Sequence, residues 1–216
     1  MFRYHKTTLK SISFGLERGL AVYLLKVLMG LLFQPSVLHQ GTLNDGRVLA
    51  VKQLSVTSHQ GKNQFLTEIA TISSVQHCNL VKLYGCCIEG DKQLLVYEYL
   101  ENKSLDQALF GKRTLNLDWS TRFDICLGVA RGLAYLHEES QLRIVHRDVK
   151  ASNILLDSDL IPKISDFGLA KLYDDKKTHI STRVAGTIGY LASEYAMRGQ
   201  LTKKADVFAS SFGRRE

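Results

Sequence analysis

The stretch Ile144-Val-His-Arg-Asp-Val-Lys-Ala-Ser-Asn153, followed by Lys163-Ile-Ser-Asp-Phe-Gly-Leu-Ala170, decides how this chain reads. Each run sets Asp, Lys or Asn side chains among apolar residues. A lone His-Arg-Asp or Asp-Phe-Gly would carry little weight. An Asp in a loop is usually a turn former, and an Asn more often caps than ligates. Here the two runs occur in order, behind a strand ending Leu49-Ala50-Val51-Lys52 and a helix that carries Glu68. That combination is not an accident of composition.

Working outward, Asn44-Asp45-Gly46 predicts a hairpin turn, since Asn, Asp and Gly tolerate positive φ. Residues 47–54 alternate as a strand. Residues 61–75 carry Phe65, Ile69, Ile72 and Val75 at helical spacing. Residues 80–88 and 93–100 read as two more strands around Glu89-Gly90-Asp91. Residues 104–110 read as a short helix, with Ser104 and Gln107 as a capping box. Asp118 caps a longer helix to about residue 139. Its expected core stripe is Phe123, Leu127, Ala130, Leu133 and Leu136. Strands early and helices late give an α+β chain.

The order and spacing of His146-Arg147-Asp148, Lys150, Asn153 and Asp166-Phe167-Gly168 resemble the protein kinase catalytic signature. The run from Val51 to Gly111 (VKQLSVTSHQGKNQFLTEIATISSVQHCNLVKLYGCCIEGDKQLLVYEYLENKSLDQALFG) is similar to plant leucine-rich-repeat receptor-like kinases, in particular the group with an extracellular malectin domain. The resemblance covers roughly residues 41–208. It implies a bilobal kinase fold, with a small sheet-rich N-lobe and an incomplete helical C-lobe. Residues 1–40 would be an atypical extension, 41–208 a partial kinase domain and 209–216 a divergent tail. The implied activity is transfer of the ATP γ-phosphate to Ser/Thr hydroxyls of a protein, with ATP and Mg²⁺ as cofactors. The implied location is the cytosolic side of the plasma membrane, with membrane attachment only through the receptor; the chain alone reads as cytoplasmic. Two alternatives stay open: a catalytically inactive kinase-like binding or regulatory module, and a non-functional gene fragment.

The resemblance also assigns roles. Asp148 would orient or accept the proton of the substrate hydroxyl, and Lys150 would steady the transferring phosphoryl group. Asn153 and Asp166 would offer oxygen ligands to Mg²⁺, a hard cation. Gly168 would let the backbone turn so that Asp166 points inward. Lys52 would reach the α- and β-phosphates and pair with Glu68. Ala50 and Leu155 would line the adenine pocket, with Tyr97 as gatekeeper and Glu98 to Leu100 as hinge. Arg147 would pair with a phosphate on the segment 166–194, where Ser181, Thr182 and Thr187 are candidate acceptors. Thr187 in Gly186-Thr187-Ile188-Gly189-Tyr190 would instead sit by the substrate, bonded to Asp148 and Lys150. A Thr there points to Ser/Thr specificity.

The chain departs from the pattern in three places. Where the family has a Gly-rich loop, residues 31–41 read LLFQPSVLHQG, and Val37 stands in for the loop's valine. Weak phosphate gripping is expected. The family's Ala-Pro-Glu reads Ala192-Ser193-Glu194, so the φ that proline would fix is freed. After Lys204-Ala205-Asp206-Val207-Phe208 the apolar continuation is replaced by ASSFGRRE. Asp206 would begin the central helix of the large lobe and hold the catalytic loop's backbone.

Bulk properties agree with an ordinary globular chain. Apolar residues make up 45% and charged residues 23%, with two prolines. The formal charge of +7 is scattered, with no basic run of the kind that binds nucleic acid. Cys78, Cys86, Cys87 and Cys126 form no Cys-x-x-Cys, so reduced cysteines are expected. Residues 1–18 are basic and 19–33 mostly apolar. That grammar fits either an anchor or an irregular extension, and Lys26 interrupts the apolar run.

Overall fold

The computed structural model describes residues 38–42, 46–55, 59–89, 92–111, 115–174, 176 and 178–211. The expectations for residues 1–37, including Val37 and the loop before it, and for Asn44-Asp45, lie outside the described residues. The described chain falls into two compact units. One holds the residues up to Phe65 and Leu83–Tyr99; the other holds Leu66–Lys82 and the residues from Leu100 on.

The first unit is an antiparallel four-stranded sheet. Its strands are β1 (Leu38–Thr42), β2 (Val48–Ser55), β3 (Leu83–Glu89) and β4 (Lys92–Glu98), in the order β1-β2-β4-β3. Gly46 has φ +86° in the β1–β2 connection, as the Asn-Asp-Gly turn predicts. In β4 every residue from Gln93 to Tyr97 is buried, so this central strand reads as a continuous apolar run rather than an alternation. The register sets Ala50 opposite Tyr97 and Lys52 opposite Leu95. Helix α1 (His59–Ile72) follows β2, with Phe65 and Ile72 buried as its spacing predicts.

The second unit is built on α2 (Leu105–Phe110) and α3 (Trp119–Ala134), the latter running into a π-helical turn at Tyr135–Glu139. Three two-stranded ribbons follow: β5 (Ile144–Val145) with β8 (Lys171–Leu172), β6 (Ile154–Leu156) with β7 (Pro162–Ile164), and β9 (Ile180–Ser181) with β10 (Gln200–Leu201). Helices α4 (Ser193–Arg198) and α5 (Lys203–Ser211) complete it. One core cluster joins Ala108, Leu117, Ile125 and Leu156; another joins Val145, Ala192, Tyr195, Leu201 and Ala205.

Four local expectations change. Ser104 does not cap α2 through its side chain; it is buried and bridges Leu155, so it serves a strand contact instead. Asp118 does cap α3, accepting from the Thr121 amide at 2.8 Å, but the α-helix stops at Ala134. The expected core stripe holds at Leu133 and Leu136 but fails at its N-terminal half. Phe123 is 60% exposed and Leu127 37%, and Ala130 is exposed too, whereas Ile125, Gly128, Gly132, Leu133 and Leu136 are buried. The buried face is set by two glycines that let α3 approach β7 and Asn79. A Cβ on Gly128 would stand 2.5 Å from Pro162 Cγ, and one on Gly132 2.9 Å from Ile164 Cδ1. Finally, residues 209–211 continue α5, and Ala209 is buried.

Candidate active site

In the second unit the loop after β5 carries Arg147, Asp148, Lys150 and Asn153. Apolar β5 anchors its start, since Ile144 and Val145 are both fully buried. The loop's backbone is held by one carboxylate from α5. Asp206 Oδ2 accepts the His146 amide at 2.7 Å, and Oδ1 accepts the Arg147 amide at 2.8 Å. His137 Nε2 meets the same Oδ2 at 2.9 Å. The π turn places His137 there, and such insertions are common at functional sites. This wiring orders a backbone that is not relaxed: Arg147 has φ +75°, a left-handed conformation uncommon outside glycine.

Asp148 is buried, and both its carboxylate oxygens have partners. Oδ1 accepts the Thr187 amide at 3.0 Å and the Thr187 hydroxyl at 2.6 Å. Lys150 Nζ donates to the Thr187 hydroxyl at 2.7 Å and lies 3.0 Å from Asp148 Oδ2. Asn153 Nδ2 donates to the Asp148 carbonyl at 2.8 Å and to Oδ2 at 3.1 Å. The sequence-derived group Asp148, Lys150, Asn153 and Thr187 therefore meets at one place. Gly186, with φ +130°, makes that approach feasible, because a Cβ there would stand 2.6 Å from the Arg147 carbonyl oxygen.

Asp166 is tied to the same loop through its neighbour. The Ser165 amide and hydroxyl donate to the Asn153 carbonyl at 2.9 and 3.0 Å. His146 Nε2 lies 3.0 Å from the Ser165 carbonyl, and its ring meets Phe167 edge-on at 4.8 Å. The turn expected of Gly168 is made by Asp166 itself, at φ +66° and ψ +69°; Gly168 sits in the short 3₁₀ turn that follows. A short carboxylate and amide set suits a divalent hard cation that completes its shell with phosphate oxygens and water. Asn153 spends its NH₂ on Asp148, which leaves the amide oxygen as the atom that would face a cation. Among the described residues no cluster of three or more His, Cys, Asp or Glu could form an all-protein metal cage.

The remaining sequence-derived residues are placed as follows. In the first unit Ala50 and Tyr97 are buried cross-strand partners, and Lys52 and Glu98 are half-buried. In the second unit Glu68 and Leu100 are buried and Leu155 is half-buried. The Lys52–Glu68 pairing rests on the sequence pattern. Ser181 is exposed and pairs with Gln200, while the Thr182 amide donates to the Gly199 carbonyl at 3.1 Å. Ser193 takes the first position of α4, where a proline is well tolerated and serine costs little. Sequence reasoning missed two residues that the site uses, His137 and Tyr195, whose hydroxyl accepts from Arg147 Nε at 3.0 Å. Neither carries a motif; His137 fell within the expected long helix, and Tyr195 was given no role.

A family model described as protein tyrosine and serine/threonine kinase matches residues 27–213. The chain belongs to that kinase family. Its relatives in Arabidopsis thaliana include two proteins named as probable LRR receptor-like serine/threonine-protein kinases. One is 78% identical over 171 residues, which is 79% of this chain and 17% of the relative. The other is 69% identical over 177 residues, 81% of this chain and 17% of the relative. A probable leucine-rich repeat receptor-like serine/threonine-protein kinase is 67% identical over 177 residues, with 81% and 17% covered. The chain thus spans about a sixth of the length of these relatives. The kinase family uses ATP, a divalent metal and protein substrates, and the mixed α/β architecture agrees with a kinase domain. Among the described residues no helix is long and apolar enough to cross a membrane.

Proposed function

We propose that this kinase domain transfers the γ-phosphate of Mg²⁺-bound ATP to Ser or Thr hydroxyls of a protein substrate. The observation that carries the reading is the convergence of Asp148, Lys150, Asn153 and Thr187, with 2.6 Å between the Thr187 hydroxyl and the Asp148 carboxylate. Asp148 orients the incoming hydroxyl and takes its proton as the new O–P bond forms and the bond to the β-phosphate oxygen breaks, so ADP leaves. Lys150 faces the same point and offsets negative charge on the moving group. Asn153 and Asp166 would hold the metal, which neutralises phosphate charge when bound. Thr187 donates to and accepts from this pair, which supports a preference for Ser/Thr. In the first unit Lys52 would bind the nucleotide phosphates and Ala50, Tyr97 and Glu98 would contact the adenine; in the second unit Glu68 is the expected counter-charge and Leu100 and Leu155 the expected adenine contacts. The receptor-like relatives support a place on the cytosolic side of the plasma membrane.

Radiolabelled ATP with a generic basic acceptor protein tests this. Transfer is expected to need Mg²⁺ and to fall by roughly 10²–10⁴-fold in Asp148→Asn. Lys52→Met should lose it as well. Nucleotide should raise the unfolding midpoint, since a ligand stabilises only a folded site, through a gain of about 2.7 kcal/mol in unfolding free energy at roughly a hundredfold excess over Kd. Transfer that survives in Asp148→Asn, or no transfer from a chain that binds nucleotide, overturns the proposal.

A further inference from the structure

Among the described residues four that are not glycine have left-handed backbone: Lys103 at φ +58°, Arg147 at +75°, Leu160 at +62° and Asp166 at +66°. Such residues are strained. They persist where their surroundings over-determine them, and they gather at catalytic sites and ligand clamps. Arg147 and Asp166 belong to the site described above. Lys103 and Leu160 flank a second junction in the same unit, centred on the Asp157 carbonyl.

That carbonyl oxygen accepts the Leu160 amide at 3.1 Å and Asn102 Nδ2 at 2.7 Å, so both its acceptor sites are used. The Asp157 carboxylate closes the turn that follows: Oδ1 accepts the Asp159 amide at 3.0 Å and the Ile161 amide at 2.9 Å. Leu160 is kept left-handed because its side chain packs on the cluster of Ala108, Leu117, Ile125 and Leu156.

On the other side of the junction, residues 102–104 lie along β6 as a further short strand. The Asn102 amide donates to the Leu156 carbonyl at 3.1 Å, the Leu156 amide donates to the Lys103 carbonyl at 2.7 Å, and Ser104 bridges Leu155. The Lys103 amide donates back to the Leu100 carbonyl at 3.3 Å, which ties Leu100 to the same ladder. So short a pairing is only marginally stable by itself. At its end the Asn102 side chain adds a bond across it. Leu100 and Leu155 are this unit's expected adenine contacts, so what holds the ladder also holds them.

We propose that Asn102 is a positioning residue for nucleotide binding: its side-chain N–H, given to the Asp157 carbonyl, fixes residues 100–104 on β6 and so keeps Leu100 and Leu155 in register for the adenine ring. The consequence for nucleotide rests on the kinase reading above; the junction itself does not. An adenine face is apolar and responds to where two leucine side chains stand, whereas phosphates do not.

Titrating the full chain with adenosine, which has no phosphate, and with Mg²⁺ tripolyphosphate, which has no adenine, tests this. Asn102→Asp keeps the shape and loses the N–H; Asn102→Ala loses it without adding charge. In both, Kd for adenosine should rise roughly threefold to tenfold, the worth of one hydrogen bond, with tripolyphosphate binding unaltered. In transfer assays KM for ATP should rise while kcat holds. Unchanged adenosine affinity in both variants overturns the inference. So does an equal loss for the two probes, which is what a general loosening would give. Should neither variant fold, amide hydrogen exchange in the parent decides it: adenosine should slow the Asn102 and Leu156 amides more than tripolyphosphate does, and equal slowing overturns the inference. A parent that binds adenosine without regard to Asn102 refutes this inference alone; a parent that binds neither adenosine nor ATP refutes the proposed function as well.

Discussion

The loop at residues 144–153 and helix α3 belong to the same unit but are held by opposite chemistry. The loop is fixed by buried polar groups: Asp206 on two backbone amides, Arg147 on carbonyls and a phenol, Asn153 on Asp148. The helix is fixed by shape, with Gly128 and Gly132 against Pro162, Ile164 and Asn79. Polar fixation is directional and holds a left-handed residue such as Arg147 at φ +75° in place. Apolar close packing sets distance well but orients poorly. A loop that must aim a carboxylate needs the first kind; a helix that supports it can use the second.

The largest effect expected from breaking this contrast is on the polar side. Asp206→Ala leaves the His146 and Arg147 amides and His137 Nε2 buried without their acceptor. It should cost about 3–5 kcal/mol, a large part of the 5–15 kcal/mol that roughly bounds a domain's stability. Denaturant melts would measure it. Asp206→Asn keeps one acceptor oxygen and should lose distinctly less. Equal losses in both variants would mean that the carboxylate's two-amide grip is not what holds the loop.

On the packing side the expected effects are smaller and graded. Gly128→Ala sets a methyl 2.5 Å from a proline ring carbon and 2.9 Å from Asn79 Nδ2, which donates to the Pro162 carbonyl. A ring cannot swing aside, so an overpacking loss of about 1–3 kcal/mol should exceed the gain in helix propensity of up to about 1 kcal/mol. Gly132→Ala meets the tip of the Ile164 side chain at 2.9 Å and the Asn79 carbonyl oxygen at 3.1 Å, a looser fit than at Gly128, and should cost less. Phe123→Ala, on the exposed face, should stay within about 0.5 kcal/mol of the parent. A larger loss at Phe123 than at Gly128 would reverse the assignment of the buried face.

The same contrast explains what the sequence disclosed. The loop at residues 144–153 was legible because the order and spacing of Asp148, Lys150, Asn153 and Asp166 resemble the kinase signature, where each residue alone would read as a turn former or cap. The sheet was legible through its short apolar runs and the Gly46 turn, although its central strand β4 is buried continuously and does not alternate. The buried face of α3 was legible only at Leu133 and, past the helix end, Leu136; elsewhere hydropathy weighs Phe123 and Leu127 heavily and glycine hardly at all, while the contact depends on what glycine lacks. Tyr195 was hidden for a related reason. Its ring lies in the core, and nothing in the sequence tells that its oxygen meets an arginine 48 positions away.

The smallest expected effect lies at the start of α3 and tests whether a polar device there matters as it does in the loop. Asp118 accepts from the Thr121 amide, and this hydrogen bonding holds its carboxyl below the ordinary carboxylate pKa. A carboxylate whose folded pKa is depressed adds stability that is present above its unfolded pKa and lost as pH falls through the folded value. Melts of the parent should therefore show a slight decline as the pH is taken from about 5 to below 4, on top of that from other acids. Asp118→Asn keeps a cap acceptor without a titrating charge. It should match the parent at acid pH and fall only slightly short at neutral pH, so the difference between the two curves should shrink on acidification. A difference that grows on acidification would show that the cap's charge works against the helix. The expected shrinkage would place α3 between the two regimes, seated by glycine shape but started by a charge-assisted bond.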